Sequence, residues 1–218
     1  DLRWVLSVTG DRQLRQDATR QRQLGIDAAM LARVETAFRE RLADGGRTRA
    51  QLFDDLTEIG IDPSGQRGIH LIYALNVRGI LAQGPVVHRD DAVSREQLFV
   101  LAEDWIPEFP APADPLAELF VRYVDGHGPA TVADFAWWSG LPITAAREAA
   151  ERGRHRVVES AEGVFLASTR PRRAAGFDEA AVLALPMFDE YYISYVDRST
   201  VASAQSMALI GPGKNGMV

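Results

Sequence analysis

GPATVADFAWWSGLPITAAREAAERGRHRVVESAEGVFLAS, residues Gly128 to Ser168, decides how the chain is read. Gly128-Pro129 interrupts whatever precedes it. Thr131 stands three residues before Asp134, the spacing at which a hydroxyl caps free N–H groups and an acid sits in the positive first turn of a helix. The spacing of Phe135, Trp138 and Leu141 turns them inward, and Gly140-Leu141-Pro142 forces a stop. Thr144 is placed to cap a second helix, from Ala145 to about Arg152, built from alanine, arginine and glutamate, all good helix formers. Val157-Val158 and Val164-Phe165-Leu166 then flank Glu162-Gly163 as a hairpin. Helix, tight turn, helix, hairpin is the order of a winged helix-turn-helix module, with the second helix reading and the hairpin as wing.

The same order recurs upstream. Thr48-Arg49-Ala50-Gln51 forms a capping box, and Thr48 precedes Thr131 by 83 residues. Leu52, Phe53, Leu56 and Ile59 follow at helical spacing, Gly60-Ile61-Asp62-Pro63 turns the chain, and Ser64 is placed to cap a helix carrying Ile69, Leu71, Ile72, Leu75 and Val77. Gly79 ends it, and Ile80-Leu81 with Val86-Val87 flank Gln83-Gly84-Pro85 as a second wing. A long helix precedes each copy, at 27–42 (capped by Asp27) and at 115–126. Repetition of one pattern with caps and turns in matching places predicts tandem modules.

The expected fold is therefore mainly α with small β wings (α+β). Residues 1–26 form an N-terminal helical segment that belongs to an incomplete module. Winged helices follow at 27–92 and 115–168, joined by an acidic, Pro-rich linker at 93–114 whose Trp105 and Phe109 dock on a neighbouring module. Within the first segment Leu2–Thr9 is apolar and closes at Thr9-Gly10, whereas Asp11–Leu24 is charged, either a solvated face or a phosphate-contacting edge. Residues 169–218 open a further unit, with Val182–Pro186 as a strand and a new strand beginning after the turn at Gly211–Gly216. Neither end looks like a natural boundary, so the chain reads as part of something longer.

Composition narrows the function. The chain of 218 residues is 46% apolar and can bury a real core, and it has no cysteine for disulfides or thiolate metal sites. It carries no apolar run long enough to span a membrane and no signal-peptide pattern, which fits the cytoplasm. A net charge of −6 excludes coating of nucleic acid by global charge and leaves a local basic face open. His70, His88, His127 and His155 are scattered, and no nucleophile elbow, phosphate loop or zinc-ligand spacing is present, so neither metal nor cofactor is expected. Basic and polar residues do fall on the elements that would meet DNA. They are Ser64, Gln66, Arg67 and His70 in the first copy, and Thr144, Arg147, Arg152, Arg154, His155 and Arg156 in the second. Arg172 and Arg173 follow shortly after. Asp189, Tyr191, Asp197 and Arg198 form the densest polar cluster, either a pocket edge or a buried Asp–Arg pair at a junction.

Gly128-Pro129-Ala130-Thr131, Asp134–Leu141, Leu185–Tyr191, Tyr195–Ser199 and Asp62–Arg67 together resemble the winged-helix family that contains the AlkZ-like bacterial DNA glycosylases. The resemblance implies tandem winged helices with a C-terminal β-barrel around a DNA channel. It also implies excision of alkylated bases, or unhooking of interstrand crosslinks, by metal-free hydrolysis of the N-glycosidic bond. The partner would be double-stranded DNA, bound by a monomer. The catalytic motif of that family, Gln, an apolar residue, then Gln or Asp, has no counterpart here and is expected before Asp1. Gln21-Arg22-Gln23 has the spacing but a charged middle residue. A non-catalytic DNA-binding regulator and a protein-interaction scaffold are the competing readings.

Overall fold

The computed structural model describes residues 1–89, 92–167, 185 and 188–210. The fold is mainly helical with small antiparallel sheets, and the chain divides into two compact units, Asp1–Ala111 and Pro112–Val218.

In the first unit, helices α1 (Leu2–Gln23) and α2 (Ala28–Leu42) precede a two-residue strand β1 (Arg47–Thr48) and helix α3 (Arg49–Glu58). Helix α4 (Arg67–Val77), strands β2 (Leu81–Arg89) and β3 (Ala92–Leu101) and a short helix α5 (Ala102–Trp105) follow. The caps are where local chemistry puts them. The Asp27 carboxylate accepts from the Met30 N–H, and Thr48 and Gln51 cap each other's backbone in a full capping box. Leu31, Val34, Phe38, Leu52, Leu56, Leu71 and Leu75 fill the core, whereas Ile69, expected inside, is 48% exposed.

Three sequence expectations fail here. Helix α1 does not stop at Thr9-Gly10. Gly10 is an interior residue whose missing side chain lets α1 lie against α4, since a Cβ there would sit 3.1 Å from the Val77 carbonyl oxygen. Gly84-Pro85 is not the tip of a wing. The register slips between Gln83 and Val86, a bulge that brings Gly84 close under Val100, and β2 runs on to Arg89. Residues 93–101, read as the start of a linker, are the second strand of that hairpin. Trp105 and Phe109 are exposed. The sheet order is β1-β3-β2, with Arg47 opposite Phe99.

In the second unit, helices α6 (Pro115–His127), α7 (Val132–Ser139) and α8 (Ile143–Gly153) precede a 3-10 turn (Arg154–Arg156) and strands β4 (Val157–Glu159) and β5 (Phe165–Ala167). The helix–short bridge–helix–helix–hairpin order of the first unit is repeated. Thr131 and Asp134 form the second capping box, and Ala130 pairs with Phe165 as Arg47 pairs with Phe99. Gly140 ends α7 in the left-handed conformation at φ 68°. Phe120, Phe135 and Phe165 meet edge-to-face in the core. Helix α8 packs on α6 and α7, and its Ala146, Ala149, Ala150 and Gly153 are buried. A Cβ on Gly153 would lie 3.1 Å from Val121 and 3.3 Å from Phe120, so small residues set this close approach.

The described part of the last segment is helical. It comprises α9 (Glu190–Ile193), a 3-10 turn (Arg198–Thr200) and α10 (Ala204–Ile210). No closed barrel occurs among the described residues. The expected turn at Gly211–Gly216, and all but Leu185 of the expected strand Val182–Pro186, lie outside them.

Candidate nucleic-acid interface

The first-unit candidates surround the start of α4, and most of them face inward. Ser64 does not cap α4. Its N–H and hydroxyl both donate to Asp62, holding that carboxylate below its usual range. The cap position is taken by Gln66 at φ 79°, a left-handed conformation that costs a non-glycine residue strain. The Gln66 amide oxygen accepts from the Arg20 guanidinium of α1 at 2.7 Å. Arg67 donates to the Leu24 carbonyl at 2.8 Å and to the Asp62 carbonyl at 2.9 Å. His70 Nδ1 lies 2.9 Å from the Asp17 carboxylate. Gln66, Arg67 and His70 are thus spent on holding α1 antiparallel along α4, and one face of the charged Asp11–Leu24 stretch is neither solvated nor open to phosphate.

In the second unit the arginines separate into paired and unpaired. Thr144 is exposed within α8, which starts one residue earlier after Pro142, so Thr144 is not its cap. Arg152 pairs with Glu148 and Asp114, Arg154 with Glu159 and Glu151, and Arg156 with Glu118 at 2.5 Å. The hydrogen bonds from Arg122 and Arg156 hold the Glu118 carboxyl below the usual glutamate range. Among the described residues, Arg147 and His155 are exposed and make no hydrogen bond or ion pair. The face is therefore charge-compensated with two unengaged basic groups, not a basic stripe. Arg172 and Arg173 lie outside the described residues.

The cluster at the C-terminal end is structural in its details. Asp189 caps α9 by accepting from the Tyr191 N–H, and Asp197 caps the 3-10 turn by accepting from the Ser199 N–H. Asp197 is exposed, and Arg198 lies over the Tyr192 ring at 4.6 Å. Tyr191 is exposed.

This segment instead docks on α6 and α7. Asp134 takes the Thr131 N–H and hydroxyl on Oδ2, and the Val196 N–H on Oδ1 at 2.8 Å. Tyr123, its phenol pushed up by burial and the neighbouring Asp134 charge, donates to the Ser194 carbonyl. Trp137 donates to Ile193, and Tyr195 donates to His127. His127 stacks on Tyr123 with ring centroids 4.7 Å apart, and its Nε2 lies 2.8 Å from Glu190. Residues 190–196 are thus tied to side chains of α6 and α7 that lie far from them in sequence.

A family model described as DNA glycosylase AlkZ-like matches residues 1–217. The chain belongs to the AlkZ-like DNA glycosylase family. No curated protein and no solved structure gave a match. Among the described residues of this AlkZ-like chain, no group of three His, Cys, Asp or Glu side chains could hold a metal ion, and no helix is long and apolar enough to cross a membrane.

Sequence reasoning passed over Asp17, Arg20, His127 and Asp134's second role. For Asp17 a signal existed. Gly10 and Asp17 stand seven residues apart, the repeat that returns to one side of a helix. For His127 none did, because Glu190 lies 63 positions away.

Proposed function

We propose that this AlkZ-like chain is a DNA glycosylase, or part of one, built on two winged helices. It would hydrolyse the N-glycosidic bond of alkylated bases, including those that form interstrand crosslinks, in double-stranded DNA. The family match over residues 1–217 carries the reading. The repeated helix–bridge–helix–helix–hairpin order supports it, because each hairpin then stands as a wing beside a reading helix. The bond chemistry asks little of the protein. A cationic base is already a good leaving group, so positioning water and the sugar supplies most of the effect.

The second-unit surface around Thr144, Arg147, Arg152, Arg154, His155 and Arg156 is the proposed duplex contact, with Arg147 and His155 its unengaged donors. The first-unit residues Ser64, Gln66, Arg67 and His70 support it by fixing the frame rather than by reading bases. Incubation with a duplex carrying one N7-methylguanine, with detection of the released base, tests the activity. Release no faster than the spontaneous rate, with the duplex bound, sinks the enzyme reading and leaves a DNA-binding regulator. The compensated charge of the α8 face favours the other alternative, a protein-interaction scaffold. Undetectable duplex binding at low salt would select it.

A further inference from the structure

The seam with α4 uses one side of α1, and the solvent side of the same helix carries positive charge that no acid balances. Asp17 is the one carboxylate between Arg12 and Gln23, and it is turned against His70, with its side chain 11% exposed. Arg15 is exposed and, among the described residues, makes no hydrogen bond or ion pair. Arg22 is exposed and donates to the Thr19 hydroxyl at 3.0 Å, a neutral partner. Arg20 donates to the amide oxygens of Gln23 and Gln66, both neutral as well. Arg15, Thr19 and Arg22 follow one another at spacings of four and three, so they share one side of the helix. Elsewhere in this unit arginines meet acids, Arg39 with Glu35 and Glu103, Arg41 with Glu58 and Arg47 with Asp55. In a chain of net charge −6 this uncompensated stretch is a local exception, and such a stretch attracts a polyanion. The negative end of the helix dipole accounts for Arg20 and Arg22 in the last turn, but not for Arg15, about two turns earlier.

Position names the polyanion. Arg20 reaches from α1 to Gln66, the exposed residue at the start of α4, at 2.7 Å. Helix α4 is the second helix of the α3–α4 pair and is followed by the β2–β3 hairpin, and the start of such a helix is the end that meets a duplex. Donors beside that end meet phosphates rather than bases. We infer that the solvent side of α1 is a phosphate-contacting surface of the first unit, on which Arg15 and Arg22 grip the backbone of double-stranded DNA. This rests on duplex DNA as the partner, proposed above, and adds a surface to the one on α8. Guanidinium groups bind phosphate oxygens without reading sequence, so the contact is sequence-independent and salt-dependent.

Binding of the intact chain to a random-sequence duplex, titrated from 50 to 200 mM salt, tests the assignment. Arg15→Ala combined with Arg22→Ala weakens binding roughly tenfold to hundredfold at the low-salt end and lowers the slope of log K against log salt by about two. Both side chains are exposed, so the melting temperature stays at the wild-type value. Arg15→Lys combined with Arg22→Lys keeps the slope, because either cation neutralises a phosphate. An alanine pair with wild-type affinity and slope leaves a merely solvated face and overturns the inference, while base release from the N7-methylguanine duplex still decides the glycosylase reading separately. A lysine pair that loses as much as the alanine pair gives the arginines a structural role and overturns it too. Polyglutamate bound as tightly as duplex at equal salt, and released by the alanine pair, hands the surface to an acidic protein instead. A wild type that binds no duplex at low salt removes both this surface and the partner it rests on.

Discussion

Arg147 and Arg156 share one stretch of sequence and face different tasks. Arg147 is exposed and unengaged, so Arg147→Glu is expected to weaken duplex binding and to lower the slope of log K against log salt by about one. A titration series from 50 to 200 mM salt checks this, and an unchanged slope would place the duplex elsewhere. Arg156 bridges to a Glu118 that is largely buried, with its side chain 13% exposed. Arg156→Ala is expected to cost about 1 kcal/mol of stability by denaturant melt, more than an exposed pair is usually worth. The pH dependence follows from the sign of the shift. Glu118 titrates lower in the fold than when unfolded, so its contribution is full at neutral pH and is lost as pH falls through the folded value. Wild type and Glu118→Gln should therefore differ in stability at neutral pH and converge in acid. A gap that persists unchanged in acid would contradict the cause assigned here.

At the level of elements, α1 is the part whose behaviour sequence and structure describe most differently. Gly10→Val puts a branched side chain against the Val77 carbonyl and should cost about 1–3 kcal/mol, by overpacking the α1–α4 contact. Urea unfolding checks it, and a neutral result would mean that α1 can slide without penalty. The helices were legible where their signals are local. Asp27, Thr48 and Thr131 cap as their spacing requires, and Gly140 ends α7 as a left-handed glycine. Leu31, Val34 and Phe38 read as core from periodicity alone. The failures come from contacts that spacing cannot report. Gly84-Pro85 has the composition of a turn, yet pairing across to Val100 makes it a bulge. Ser64 and Thr144 have the right side chains for caps, but Asp62 captures one hydroxyl and α8 begins ahead of the other. The candidate site was legible as a set of basic residues. Arg152 and Arg154 have acid partners at local spacing in Glu148 and Glu151, but the Arg156–Glu118 pair was not legible because Glu118 lies 38 positions away on α6.

For the whole chain, the two units each hold their own core, so residues 1–111 expressed alone should melt cooperatively with helical circular dichroism. A broad, non-cooperative melt would show that the first unit needs the second. The net charge of −6 means that any duplex affinity comes from a few local donors. With about two phosphate contacts on α8 alone the binding constant would drop roughly tenfold between 50 and 200 mM salt. The inner side of α8 is lined by buried methyl groups and one bare backbone position that is fitted against α6. Almost all of that helix's chemical vocabulary consequently sits on its outer side. Outward positions such as Thr144 and Arg147 are open to exchange by mutation with little disturbance to the interior. A lineage built on this scaffold could retune what it touches over evolutionary time while keeping the same body, one surface letter at a time.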